Sequence, residues 1–149
     1  SDGVGLYQGQ SEVGLAAVQP REGVGDTLAA LRQRGLYLGV VSNIDEDQFH
    51  PLWERIGLGP YFDAVTTSEE ARSCKPHPGI YRHALGKAGD VGPEEVVFVG
   101  DSVDFDVAGA NALGMTSVLI VEQPDQLEGD ADPDYVIETM PELLQIVSA

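Results

Sequence analysis

The 149 residues and 15.9 kDa match the size of one ordinary domain. Hydrophobic residues at 42% supply a core and exclude a wholly disordered chain. The balance of 25 acidic against 8 basic side chains gives −17, whose field repels phosphates. No nucleic-acid partner and no anionic-membrane partner is therefore expected. No run approaches the ~20 apolar residues that span a bilayer, and no basic segment followed by an apolar run opens the sequence. The single Cys74 excludes an intramolecular disulfide and a multi-cysteine zinc site. The expected compartment is the cytoplasm.

The charge is segregated. Up to Lys87 there are 11 acids and 8 bases; from Ala88 to Ala149 there are 14 acids and neither Lys nor Arg. A solvated acidic surface is the simpler reading and a cation-binding patch the sharper one, and acidity alone does not separate them.

Residues Ser1 to Gln19 are weakly patterned, with Gly3, Gly5, Gly9 and Gly14 breaking any helix. From Pro20 onward Val24, Leu28 and Leu31 repeat at helical spacing, and that helix stops near Gly35. The run Leu36 to Val41 suits a buried parallel strand. Phe49, Leu52, Trp53 and Ile56 mark a helix ending at Gly57, with Pro51 making its first turn irregular. Ala64 to Thr67 reads as a strand, and Ile80, Tyr81, Ala84, Leu85 and Ala88 as a helix face. Val96 to Val99 is the clearest strand. Val107 to Leu113 follows as a short helix, Ser117 to Val121 as a strand, and Tyr135 to Ile137 as a last short strand. Thr139 and Glu142 fit a capping box opening a helix through Val147. Alternating helix and strand predicts an α/β fold: an open, Rossmann-like parallel sheet with helices on both faces, its ligands at the carboxyl ends of the strands.

Residues just past each apolar run are thus the candidates. After Val41 come Ser42 and Asn43, a hydroxyl and an amide beside free backbone N–H groups, which suit an anion such as phosphate. Helix capping by Ser42, Asn43 or Asp45 is the bland alternative. After the Val65 strand, the prolines of Lys75-Pro76-His77-Pro78 hold Lys75 in an extended loop, where it can act as a point charge beside a phosphoryl group. After Val99 come Gly100, Asp101, Ser102, Val103, Asp104, Phe105 and Asp106. Three carboxylates in six residues are costly unless a cation or lysine offsets them, and oxygen ligands suit Mg²⁺. Asp101 points into such a site, Asp106 reaches back from the following turn, Asp104 faces solvent, and one of the three could be a helix cap. Cys74 reads as a small loop filler rather than a thiolate. His50, His77 and His83 lack metal-ligand spacing. No G-x-G-x-x-G or G-x-S-x-G turn is present.

Val40-Val41-Ser42-Asn43, Lys75-Pro76-His77-Pro78 and Val99-Gly100-Asp101-Ser102 through Asp106 together resemble the second, third and fourth motifs of the haloacid dehalogenase-like hydrolase superfamily. They stand in the family's order, and Val107 to Ala110 and Ala112 to Met115 are also similar to it. The resemblance runs from about Pro20 to Val121. It implies a Rossmann-like core and Mg²⁺-dependent attack by an aspartate on a phosphoryl group of a small phosphorylated metabolite, or in one branch on a carbon–halogen bond. It also implies that Ser42, with Asn43 beside it, binds the transferring group. Lys75 would stabilise charge on the nucleophile and phosphoryl oxygens. Asp101 would hold Mg²⁺, and Asp106 would orient Lys75 or support the metal site.

The family's first motif, a strand ending in D-x-D-G, has no counterpart preceded by an apolar run. Asp2-Gly3-Val4 matches only its tail, and a glycine-rich linker is the favoured reading. That strand would lie between the Val40 and Val97 strands. The expectation is therefore a carboxyl-terminal portion of a longer enzyme: residues 1–19 a linker or the remnant of a cap domain, residues 20–149 a core lacking its first strand. Alone it would be inactive, with an upstream fragment of the same protein as a partner. The competing expectation is a non-catalytic phosphate-, metal- or partner-binding domain of the same fold.

Overall fold

The computed structural model describes residues 2–5, 12–15, 23–89, 91–121 and 131–147, with backbone alone for the first two stretches. The strands are β1 (Asp2–Gly5), β2 (Glu12–Leu15), β3 (Tyr37–Ser42), β4 (Ala64–Thr67), β5 (Val96–Gly100), β6 (Thr116–Ile120) and β7 (Tyr135–Ile137). The helices are α1 (Val24–Gln33), α2 (Glu46–Ile56), α3 (Ser68–Ala71), α4 (Pro78–Ala88), α5 (Ala108–Leu113) and α6 (Leu143–Ile146). One sheet runs β4-β3-β1-β2-β5-β6-β7.

Three parallel pairs join strands that the apolar runs predict. β3 pairs with β4 through Val40↔Val65, β5 with β6 through Val99↔Val118, and β6 with β7 through Leu119↔Val136. β5 is buried along its whole length, as a strand covered on both faces must be. Leu28, Leu31, Leu38, Ile80, Val118 and Leu143 have no exposed surface. Each such side chain contributes about 1.5–3 kcal/mol relative to exposure. Among the helices, α1 packs with α6, and α4 with α3 and α5.

Two short amino-terminal segments are strands of this sheet. β2 lies parallel to β5 in the register Val13↔Val97, and β1 runs antiparallel to β3 (Asp2↔Ser42) and to β5 (Val4↔Val99). The sheet is thus mixed rather than wholly parallel. The physical reason is that β3 and β5 each expose a row of backbone donors and acceptors toward the middle of the sheet, and those rows require partners. Glycine-rich segments have no patterned face to satisfy and can supply backbone there. Residues 16–22, including the boundary placed at Pro20, lie outside the described residues, as does the acidic stretch 122–130.

Two helices differ from their predicted extent. Residues Val103–Val107 form a wide turn, so α5 begins at Ala108. The carboxyl-terminal helix is split into a tight turn over Met140–Glu142 and the short α6. Glu142 Oε2 accepts from Thr139 N at 2.6 Å and from Thr139 Oγ1 at 3.0 Å, so the predicted pairing of these two side chains is present. In α2, Gly57 ends the helix with φ 74° and Pro51 lies inside it.

Candidate active site

The strand ends of β3, β4 and β5 bring Ser42, the Lys75 loop and the Asp101–Asp106 segment to one edge of the sheet, as parallel α/β architecture dictates. Lys75 Nζ donates to Asp106 Oδ1 at 2.8 Å, and both side chains are buried. A buried ammonium or carboxylate without an opposite charge would cost several kcal/mol, so each residue conditions the other.

The lysine loop is anchored through its backbone. Lys75 N donates to Asn43 Oδ1 at 2.8 Å, and Asn43 Nδ2 donates to Lys75 O at 3.2 Å. The Asn43 amide thereby ties the end of β3 to the loop that follows α3, rather than capping α2. Ser42 is buried at the last position of β3. At the start of α2 the N–H of Glu46 donates to Glu69 Oε1 at 2.8 Å. The Lys75–Pro76 peptide is cis.

The aspartate side is anchored by the wide turn. Ser102 O accepts from both Asp106 N (3.0 Å) and Val107 N (3.1 Å), the second bond spanning five residues. Ser102 N donates to Asp106 Oδ2 at 3.1 Å, and Ser102 Oγ accepts from Phe105 N at 3.2 Å. Ser102, not one of the carboxylates, caps this turn. A Cβ on Gly100 would lie 2.3 Å from Asp106 Cγ, so only glycine lets the aspartate fold back against the end of β5. Burial pushes the Asp106 carboxyl above its ordinary range. Lys75 opposes that shift and the Asp101 charge adds to it.

Asp101 follows β5 directly and is exposed, and Asp104 is exposed on the turn. Among the described residues no three His, Cys, Asp or Glu side chains converge as a metal cage. Mg²⁺ retains several waters and commonly takes one or two protein carboxylates plus substrate oxygens, so an exposed Asp101 at the end of β5, close enough for its charge to act on the Asp106 carboxyl, fits a partial Mg²⁺ site. Cys74 is exposed and lines an open depression of about 510 Å³ with Asp45, Ser68, Arg72 and His77. His83 Nε2 meets Glu70 Oε2 at 2.8 Å on the surface.

Two contributors escape sequence reading. Ser102 carries the only cue, a hydroxyl three residues before a free N–H. Tyr81 reads as one more residue of a helix face, yet its buried hydroxyl donates to Phe105 O at 2.9 Å.

A family model described as haloacid dehalogenase-like hydrolase matches residues 4–114. The glyceraldehyde 3-phosphate phosphatase of Methanocaldococcus jannaschii is 38% identical over 137 residues, covering 91% of this chain and 59% of its own length. The ribulose-1,5-bisphosphate 5-phosphatase of Halopiger xanaduensis is 33% identical, covering 83% of this chain and 54% of its own. Among solved structures, a phosphatase of this superfamily from Thermococcus onnurineus superimposes with TM-score 0.70 at 38% identity, over 81% of this chain and 54% of that one. A 2-haloacid dehalogenase from Pseudomonas syringae superimposes with TM-score 0.71 at 30% identity, over 84% and 51%. The chain spans little more than half the length of these relatives. Among its described residues no helix is long and apolar enough to cross a membrane. The strand-end serine, the buried lysine–aspartate pair and the sequence match agree: the chain belongs to the haloacid dehalogenase-like hydrolases.

Proposed function

We propose that this chain carries the phosphate-positioning half of a Mg²⁺-dependent phosphate ester hydrolase acting on small phosphorylated metabolites. The observation that carries the reading is the buried Lys75–Asp106 pair at 2.8 Å, set beside the ends of β3 and β5. Phosphoryl transfer asks a protein mainly for position and charge. Lys75 supplies a fixed positive charge toward phosphoryl oxygens, and Asp106 keeps it oriented. Ser42 lies against the transferring group, while Asn43 keeps both ends of its amide on the Lys75 backbone and so sets the loop. Asp101 would hold Mg²⁺, which when bound neutralises charge on the phosphoryl oxygens. The phosphatase relatives at 33–38% identity favour sugar or triose phosphates over other esters.

On this reading the covalent nucleophile is an aspartate other than Asp101, Asp104 and Asp106, and residues 1–149 on their own do not turn over esters. Lysine, serine and metal cannot replace a covalent nucleophile.

The test is phosphate release by the protein at its full natural length, with Mg²⁺, from glyceraldehyde 3-phosphate, ribulose bisphosphate and an aryl phosphate. Release that falls by about 10²–10³ in Lys75→Ala is expected. Failure to release phosphate from any of the three overturns the proposal. Halide release from a 2-chloro acid in its place would favour the dehalogenase branch; binding of phosphate without turnover would favour a non-catalytic domain. Turnover by residues 1–149 that disappears in Asp2→Asn would overturn the inactivity of the isolated chain and assign the carboxylate to Asp2.

A further inference from the structure

We propose that Tyr81 is a positioning residue for the Lys75–Asp106 pair, a strut between the helix that follows the lysine and the turn that carries the aspartate. The proposal rests on the phosphatase reading for its consequence in catalysis, but its geometry stands apart from it.

Tyr81 lies in α4, which begins at Pro78, three residues past Lys75. Its side chain is 1% exposed. A buried phenol needs a partner for its hydroxyl, and Tyr81 Oη donates to Phe105 O at 2.9 Å. That carbonyl belongs to the wide turn, where the usual ladder is shifted by one residue. Ser102 O takes two N–H groups, and the Ala108 N–H is shared between Val103 O and Phe105 O. A shared N–H is a weak partner for a carbonyl, and the Tyr81 hydroxyl supplies a full one. Phe105 immediately precedes Asp106, so fixing its carbonyl fixes the peptide from which the aspartate departs.

The ring is fixed as tightly as the hydroxyl. It meets Phe98 of β5 edge-on, with centroids 5.1 Å apart. On the other side a Cβ at Gly109 would come within 2.2 Å of Tyr81 Oη and 2.5 Å of Cε2, so the ring lies flush on the α5 backbone. One side chain thus touches the strand that ends at Gly100, the turn that carries Asp106 and the helix that follows. The space left by the missing Cβ of Gly100 admits the Asp106 side chain, whose carboxylate accepts from Ser102 N through Oδ2 and from Lys75 Nζ through Oδ1. Preorganised charge of this kind loses value quickly when its support loosens.

The experiment is Tyr81→Phe in the protein at its full natural length. This keeps the ring, and with it the contacts to Phe98 and Gly109, and removes one hydrogen bond. Two readouts are paired. Amide hydrogen exchange should become about tenfold faster at Asp106 and Val107 and stay unchanged in β5 and α4. With Mg²⁺ and an aryl phosphate, kcat should fall about tenfold while KM stays within about twofold, since an orienting contact acts on the reacting geometry and not on ground-state binding. Faster exchange confined to the turn, together with the fall in kcat, supports the role. Unchanged exchange, unchanged kcat, or a uniform rise in exchange through β5, α4 and α5 overturns it. If the parent protein releases no phosphate at all, the phosphatase reading fails by itself, and the exchange at Asp106 and Val107 still decides whether Tyr81 holds the turn.

Discussion

Lys75 Nζ and Asp106 Oδ1 lie 2.8 Å apart, and neither side chain reaches solvent. Breaking such a pair from one side leaves a buried charge uncompensated, which costs about 3–5 kcal/mol. Lys75→Met and Asp106→Asn should each destabilise by roughly that amount in urea unfolding of the full-length protein. The double variant leaves no charge, and its amide keeps the shape of the carboxylate beside Ser102. It should recover at least half of the loss. Additive costs in the double-mutant cycle would mean that the two groups do not depend on each other.

Gly100 is required for a steric reason that has nothing to do with its torsion angles. A Cβ there would stand 2.3 Å from Asp106 Cγ, with the strand fixed on one side and the wide turn on the other. Gly100→Ala should cost about 1–3 kcal/mol and move Asp106 away from Lys75, with a matching loss of phosphate release. Gly86→Ala is the control: in α4, with nothing within 4 Å of the new methyl group, it should stabilise by about 0.4–1 kcal/mol. Equal effects at the two glycines, read from unfolding curves, would show that close approach at Gly100 is not what matters.

The Glu142 carboxylate accepts from Thr139 N, Thr139 Oγ1 and Glu138 N, and these bonds hold it below the ordinary glutamate value of 4.5. A carboxyl depressed in the folded state contributes stability that is fully present above its unfolded value and is lost as pH falls through the folded one. The wild-type protein should therefore lose stability more steeply below pH 4.5 than Glu142→Gln, and be the more stable of the two at neutral pH. Parallel stability–pH curves would remove the charged cap from the account of the Met140–Ile146 segment.

The parts of the fold that were legible in the sequence are those decided locally. Val96 to Val99 and Ala64 to Thr67 announce themselves as short β-branched runs, and both are strands. Lys75, Asp101 and Asp106 stand out in the sequence because charged residues at strand ends in a parallel sheet have little structural reason to be there. What escaped depends on distant partners. The Tyr81 hydroxyl is used by a carbonyl 24 residues away. The wide turn at Val103–Val107 differs from an ordinary helix start by a one-residue shift in hydrogen bonding, which leaves no trace in hydrophobic spacing. β1 and β2 pair because of what β3 and β5 leave open, and their own glycines carry no alternating pattern from which a strand could be read.

Asp101 and Asp104 separate a specific cation site from diffuse acidity. Both are exposed and three residues apart, so a nonspecific counterion atmosphere would feel them equally. Their placement differs. Asp101 follows the last residue of β5, and its charge bears on the buried Asp106 carboxyl, whereas Asp104 lies within the wide turn. A Mg²⁺ ion held at the strand end, with water and substrate oxygens completing its shell, depends on Asp101 alone of the two. Asp101→Asn should weaken Mg²⁺ binding by about tenfold or more, and Asp104→Asn by less than about twofold, in calorimetric titration of the full-length protein. The difference should persist at raised salt, because a directly coordinated ion is screened far less than an atmosphere of counterions. Equal losses that vanish together with added salt would assign the binding to the run from Ala88 to Ala149, with its 14 acids and no base, and would leave Asp101 without a metal role.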